Sequence, residues 1–215
     1  MNRTKYFFFI LILLTSCIQS FIVPTKIKKR FTFCYDGKPT GLESKINING
    51  FYEMTDIWWN ESGYGKTYNP RWDTTQIDIL FFKDGICALG FGWHSYNQTG
   101  KQYLDSLAKT PNHLEINASQ KGVYRVFGDT IKVQVINDVR WAAPTWMAHE
   151  VWYKIVDRNT LKRLGSKALH NEKVEDMEIE RTSDVNSDLA HFIPVGSLPS
   201  SDIWLKKEKW FLCQN

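Results

Sequence analysis

The sequence predicts an antiparallel all-β protein whose seven or eight strands close into a barrel or stack as a sandwich. Three observations carry that expectation. Tight-turn signals sit between segments of alternating apolar residues. These hairpins follow one another along the chain, the usual route to a barrel or sandwich. No long run has helical periodicity: the best is a short stretch from Lys101 to Lys109, where Tyr103, Leu104, Leu107 and Ala108 share a face.

The clearest element is YRVFGDTIKVQV, with Gly128-Asp129 as a two-residue turn and Gly at its first central position. Its register follows from the turn. Val126 faces Ile131, Tyr124 faces Val133 and Gly122 faces Val135 on an apolar side, while Arg125 faces Lys132 and Val123 faces Gln134 on the other. The second hairpin, FFKDGICALGF, is expected to turn at Asp84-Gly85, pairing Phe82 with Cys87 and Leu80 with Leu89. Both of its faces are apolar, so it is expected to be covered on both sides. A third hairpin runs from about His149 to Leu164 and turns near Asp157-Arg158-Asn159. An earlier strand-like run spans Ile46 to Met54, and the tail from Ile203 to Cys213 reads as a last strand. Two long connections remain, Thr55 to Thr74 and Gly165 to Ser201; loops of that length are usually functional or disordered.

The N-terminus carries an address. Arg3 and Lys5 precede an unbroken apolar run from Tyr6 to Leu14. That run is far shorter than the roughly 20 residues of a membrane-spanning helix, so it reads as a secretory signal. Leu14-Thr15-Ser16-Cys17 then resembles the bacterial lipobox, which implies cleavage before Cys17 and lipidation of its thiol. The expected organisation is a signal peptide over 1–16, a lipid-anchored tether over 17–40 and a barrel domain over 41–215, held in the cell envelope at the outer membrane. Lys26, Lys28, Lys29 and Arg30 in the tether read as a solvated linker, with contact to anionic headgroups as the alternative.

Cleavage lowers the formal net charge from +4 to +2, which is not a nucleic-acid signature, and a monomer is expected. Of the remaining cysteines, Cys34 precedes the strands and Cys213 follows them. Domain ends often lie close together, so these two are expected to pair while Cys87 stays reduced and buried. Closing so long a loop contributes about 4–5 kcal/mol by chain entropy.

Catalytic and metal motifs are not visible, and no cofactor is expected. His149-Glu150 lacks the second histidine of a zinc helix, since position 153 is Tyr. Asp184 to Asp188 imitates a calcium loop but has Leu189 and Val195 where that loop needs Gly and Glu.

The order of lipobox, strand with Gly50-Phe51-Tyr52, aromatic loop and successive hairpins, together with GVYRVFGDTIKV, resembles lipocalin-like lipoproteins of the Bacteroidetes type over roughly Ile46 to Leu164. That family's first strand usually carries Gly-x-Trp, where Tyr52 stands here. The resemblance implies an up-and-down barrel of about eight strands with a ligand cavity at one mouth. Trp58, Trp59, Tyr64, Tyr68 and Trp72 would then lie over the mouth, and Tyr124, Val126, Ile131, Val133, Val151 and Tyr153 would line a cavity for a small apolar ligand. The competing assignment for all of these residues is packing. A second aromatic group, Trp141, Trp146 and Trp152 around Pro144, is either the rim of the same mouth or a satellite core. Three functions compete: a tethered ligand binder, a surface protein that binds an envelope protein or glycan through its aromatic loops, and an enzyme.

Overall fold

The computed structural model describes residues 22–60, 71–90, 109, 120–137, 146–169 and 188–214, with backbone only for 55–60 and 71–78. Eight antiparallel strands close into an up-and-down barrel: β1 Gly50–Asn60, β2 Arg71–Phe81, β3 Ile86–Leu89, β4 Gln120–Phe127, β5 Thr130–Asn137, β6 Ala148–Asp157, β7 Thr160–Ala168 and β8 Leu189–Pro194. Each strand pairs with its neighbour in sequence, and β1 closes the ring on β8. This is the lipocalin-like barrel architecture, and it settles the choice between barrel and sandwich. Among the described residues, helix is confined to α1 (Thr25–Arg30) and two 3₁₀ turns, Leu42–Ser44 and Trp204–Lys207.

The β4–β5 register is the one the turn dictates, with Val126 opposite Ile131, Tyr124 opposite Val133 and Arg125 opposite Lys132. The β2–β3 register differs by one residue from the expected one. Ile79 pairs with Leu89, Leu80 with Ala88 and Phe81 with Cys87. The cause is a three-residue turn, Lys83-Asp84-Gly85: Phe82 N–H bonds to Ile86 O, Gly85 N–H bonds to Phe82 O, and Gly85 has φ +90°. Such a turn ends on a left-handed residue that Gly adopts without strain. The slip moves each side chain to the opposite face from its expected partner.

Three other expectations change. The first strand does not stop at Met54 but runs to Asn60, so the first long connection shrinks to residues 61–70. The stretch 165–201 holds the end of β7 and all of β8. The tail is not a strand; it is a 3₁₀ turn followed by a single parallel bridge between Tyr35 and Leu212.

Two cores form, one on each side of the sheet. The inner core fills the barrel with Tyr52, Met54, Ile79, Phe81, Cys87, Tyr124, Val133, Val135 and Tyr153 among others. The outer core lies on the barrel wall, where Phe51, Leu80, Ala88, Ile86, Val123, Ile136 and Ala148 face away from the interior. Both ends of the chain cover that wall: Val23, Ile27 and Phe31 from the N-terminal side, Ile203, Leu205 and Phe211 from the C-terminal side. Residues 23–40 thus run against the barrel from Val23 onward, within the span read from sequence as tether. The two straps are joined by the Cys34–Cys213 disulfide, 179 residues apart in sequence, and Cys87 is the free, buried thiol among the described residues.

Gln134 fixes the N-terminal strap on the outer wall. Its Oε1 accepts from the backbone N–H of Thr32 and of Phe33 at 2.9 Å each, and its Nε2 donates to Glu150 at 2.6 Å. Glu150 also accepts from the Trp152 indole at 2.6 Å and pairs with Lys167 at 3.3 Å. Burial pushes the Glu150 carboxyl up, but these donors and the Lys167 charge outweigh it and hold the carboxyl below its ordinary value.

Closing the barrel brings backbones close at Gly122, where a Cβ would fall 1.8 Å from Gln134 O. We therefore expect Gly122→Ala to destabilise the protein by about 3 kcal/mol, measured by urea unfolding. A loss of a few tenths would show that the strands can separate there at little cost.

Candidate functional site

The two ends of the barrel differ. At one end lie the tight turns β2–β3, β4–β5 and β6–β7, the start of β1 and the end of β8. At the other end emerge all four longer connections, 61–70, 90–119, 138–147 and 169–188.

The tight-turn end is plugged. Leu42, Ile46 and Ile48 precede β1 and join the inner core. Tyr52 shares its hydroxyl proton between the carbonyl oxygens of Asn47 at 3.0 Å and Arg158 at 2.9 Å. Arg158 in the β6–β7 turn returns the contact, donating to Ser44 O at 3.0 Å and to Glu43 O and Asn47 Oδ1 at 3.3 Å. Tyr124 donates to Phe82 O at 2.7 Å and is 2.7 Å from Thr40 Oγ1. Burial pushes both phenols up, so they stay protonated as donors.

Above the plug the interior is aromatic. Phe81 meets Tyr124 edge-on at 5.2 Å and Tyr52 at 6.2 Å. Of the residues read as cavity lining, Tyr124, Ile131, Val133, Val151 and Tyr153 belong to this inner core, and Val126 packs against it. Farther from the plug the inward positions become polar. Gln120 pairs with Asn137, His149 with Val135, Ser166 with Val151 and Arg163 with Tyr153, and all four of these polar partners and Asn137 are half-buried. Asn137 Oδ1 is buried with no hydrogen-bond partner among the described residues. Arg163 stands beside a bulge in β7, where the register shifts between Trp152, opposite Gly165, and Tyr153, opposite Arg163; bulges of this kind re-aim side chains. Sequence reasoning missed this polar set. The signal was present, since Gln120 continues the inward alternation of Gly122, Tyr124 and Val126, and Asn137 continues that of Val133 and Val135.

The residues expected to form an aromatic loop are placed differently. Trp58 and Trp59 lie in β1 and Trp72 in β2, with Trp59 directly opposite Trp72 and Trp58 opposite Asp73. The segment was read as a loop because of its Asn and Gly residues, yet Thr55, Ile57, Trp58 and Trp59 are of types that strands favour. These three tryptophans stand on the half of the β1–β2 hairpin farthest from the plug. Tyr64, Tyr68, Trp141 and Cys17 lie outside the described residues. Trp146 packs on the outer core against Trp204 at 5.9 Å, and Trp152 sits on the outer wall under Lys132 at 3.7 Å. Cys87 is buried in the inner core, where burial pushes its thiol well up, which suits a packing residue.

A cavity of about 510 Å³ opens beside the plug, bordered by Glu43, Ile46, Phe81, Phe82, Asp84 and Arg158 among others. It touches none of the residues read as ligand-lining. Two of its charged groups are engaged within the protein, Arg158 as above and Asp84 by Tyr35 at 3.0 Å, Ser201 at 2.8 Å and Lys206 at 2.9 Å, while Glu43 pairs with Lys83 at 3.9 Å and leaves its Oε2 buried with no hydrogen-bond partner among the described residues. Among the described residues no group of three His, Cys, Asp or Glu is placed to hold a metal, and no helix is long and apolar enough to cross a membrane.

Compared with known protein families, curated proteins and solved structures, the chain matches none. The class is therefore set by the fold itself: an eight-stranded up-and-down barrel, plugged at one end, with its long connections at the other.

Asp84 ties the β2–β3 turn to both chain ends. Burial raises its carboxyl pKa, but hydrogen bonds from Lys206, Ser201 and Tyr35 and the Lys206 charge outweigh this and hold it below the ordinary value. A depressed folded-state pKa stabilises above the unfolded value, about 3.9, and that contribution is lost as pH falls through the folded value. We expect Asp84→Asn to cost about 2 kcal/mol at neutral pH and to flatten the fall in stability below about pH 4. Parallel pH profiles of parent and variant would contradict this coupling.

Proposed function

We propose that this protein is an envelope lipoprotein of lipocalin-like type, tethered through lipid on Cys17, whose barrel binds a small apolar ligand at the end opposite the plug. The observation that carries the reading is the asymmetry of the barrel. One end is sealed by Leu42, Ile46 and Ile48 and braced by Arg158. The other receives all four long connections and the Trp58, Trp59 and Trp72 end of the β1–β2 hairpin. Barrels of this size hold one small ligand in such an end. The inward Asn137, whose Oδ1 is buried with no hydrogen-bond partner among the described residues, favours a ligand with an apolar body and one polar tip, because buried polar groups need partners.

The aromatic filling above the plug supports a second reading. If side chains fill the barrel throughout, Trp58, Trp59 and Trp72 serve a protein or glycan partner instead.

A fluorescent fatty acid separates the two. Added to the protein lacking its signal segment, the probe is expected to bind saturably at micromolar strength, about 8 kcal/mol, and to quench tryptophan emission. Trp58→Ala/Trp59→Ala should weaken binding while the circular dichroism stays that of the parent. Absence of binding in a folded parent rejects the ligand reading, and unfolding of the double variant assigns both tryptophans to packing. The tether is tested separately: Cys17→Ala should abolish acyl-probe labelling in cells, and a variant labelled and retained like the parent rejects it.

A further inference from the structure

Ile22, the first described residue, lies five positions after Cys17, and Val23 is already buried in the outer core. Five residues reach at most about 18 Å. A lipid on Cys17 therefore holds the wall around Val23 against the bilayer, rather than leaving the barrel free on a long tether.

That region of the wall is basic. Lys26 and Lys29 are exposed on α1, and Lys207 and Lys209 are exposed on the C-terminal strap. The two segments touch: Lys28 Nζ lies 5.9 Å from the Trp210 ring centroid, and Phe31 meets Trp210 edge-on at 5.6 Å. Among the described residues none of Lys26, Lys29, Lys207 and Lys209 forms an ion pair. The nearby acids on the C-terminal strap are Asp202 and Glu208, and Glu208 already accepts from the Trp210 indole at 3.0 Å. Ile22 adds an apolar side chain, 55 % exposed, at the head of the strap. The cations on the wall of β5 and β6 are engaged by contrast: Lys154 lies 4.0 Å from Asp129, and Lys132 lies on the Trp152 ring.

We propose that this strap face, formed by α1 and residues 204–210, docks on a bilayer containing anionic phospholipid. The orientation argument rests on the lipidated-Cys17 reading. The patch itself rests on the described side chains, whose unpaired charges and flanking apolar residue match an acidic headgroup layer. Docking by this wall leaves both barrel ends off the membrane surface, the end opposite the plug among them.

The test uses the chain from residue 17 onward with Cys17→Ser, which carries no lipid. Among the described residues, the barrel, both cores and the disulfide are built from residues 23–213. Flotation with vesicles of phosphatidylcholine alone should recover little protein. Vesicles with a third of their lipid as phosphatidylglycerol should bind it, and added salt should release it. At about fivefold per basic side chain, Lys26→Glu/Lys29→Glu/Lys207→Glu/Lys209→Glu should bind at least about 100-fold more weakly. The matching Gln variant should also lose binding, and Lys45→Glu/Lys162→Glu, at positions with no ion pair among the described residues, should bind like the parent, each with unchanged thermal unfolding. Equal binding to both vesicle types, or equal loss in the Lys45/Lys162 control, overturns the proposal. The mass of the mature N-terminus reports lipidation independently, so failure there is distinguishable from failure of the patch.

Discussion

The structure depends on the need to bury an outer wall. An up-and-down barrel can face water on its outside, yet Phe51, Leu80 and Ala88 lie in a cross-strand row pointing outward, and Ile86 pairs with Val123 beside it. No neighbouring strand can cover that surface in a closed sheet. The chain ends do so, bringing Val23, Ile27, Phe31, Ile203, Leu205 and Phe211 onto it. Each such large side chain contributes about 1.5–3 kcal/mol when fully buried. The disulfide, the Gln134–Glu150 network and the Asp84–Lys206 pair hold the straps in register, with Lys206 2.9 Å from Asp84. Arg125 adds a further link by donating to Cys34 O.

This arrangement divides labour around the barrel. The tight-turn end and the covered wall are committed to stability: Arg158, Tyr52 and Tyr124 close the one, and Gln134, Glu150 and Asp84 hold the straps on the other. The remaining end carries the long connections and the polar inward positions, among them Asn137, whose buried Oδ1 has no hydrogen-bond partner among the described residues. The same two straps that cover the outer core also carry the exposed basic residues Lys26, Lys29, Lys207 and Lys209.

Much of the fold was legible because hairpin chemistry is local. The β4–β5 ladder follows from Gly128-Asp129 residue by residue, and the two apolar faces of β2–β3 announce cover on both sides. The pairing of Cys34 with Cys213 also followed from their places at the two ends of the strand region. The one-residue slip in β2–β3 was not legible, because Asp84-Gly85 serves both a two-residue turn and the three-residue turn that Gly85 closes. β8 was hidden in a charged stretch, since only Leu189–Pro194 pairs and its flanks are polar. The straps have no period in common: Val23, Ile27 and Phe31 are spaced by four, while Leu205 sits in a short 3₁₀ turn and Ile203 and Phe211 lie outside it, so only their tertiary partners reveal them. Of the candidate site, the six lining residues fall in or against the inner core, but the polar set above them requires the closed barrel before its members share an interior.

The claim that the straps and the barrel wall form one cooperative unit is tested most directly by hydrogen exchange with mass spectrometry, before and after reduction of the disulfide. In the oxidised protein, residues 31–35 and 203–213 should exchange as slowly as β2 and β3, because they open with the same unit. On reduction, the straps and the β2–β3 strands should lose protection together. Fast exchange in the straps of the oxidised protein, or full protection of β2 and β3 once the straps have been freed, would contradict the account.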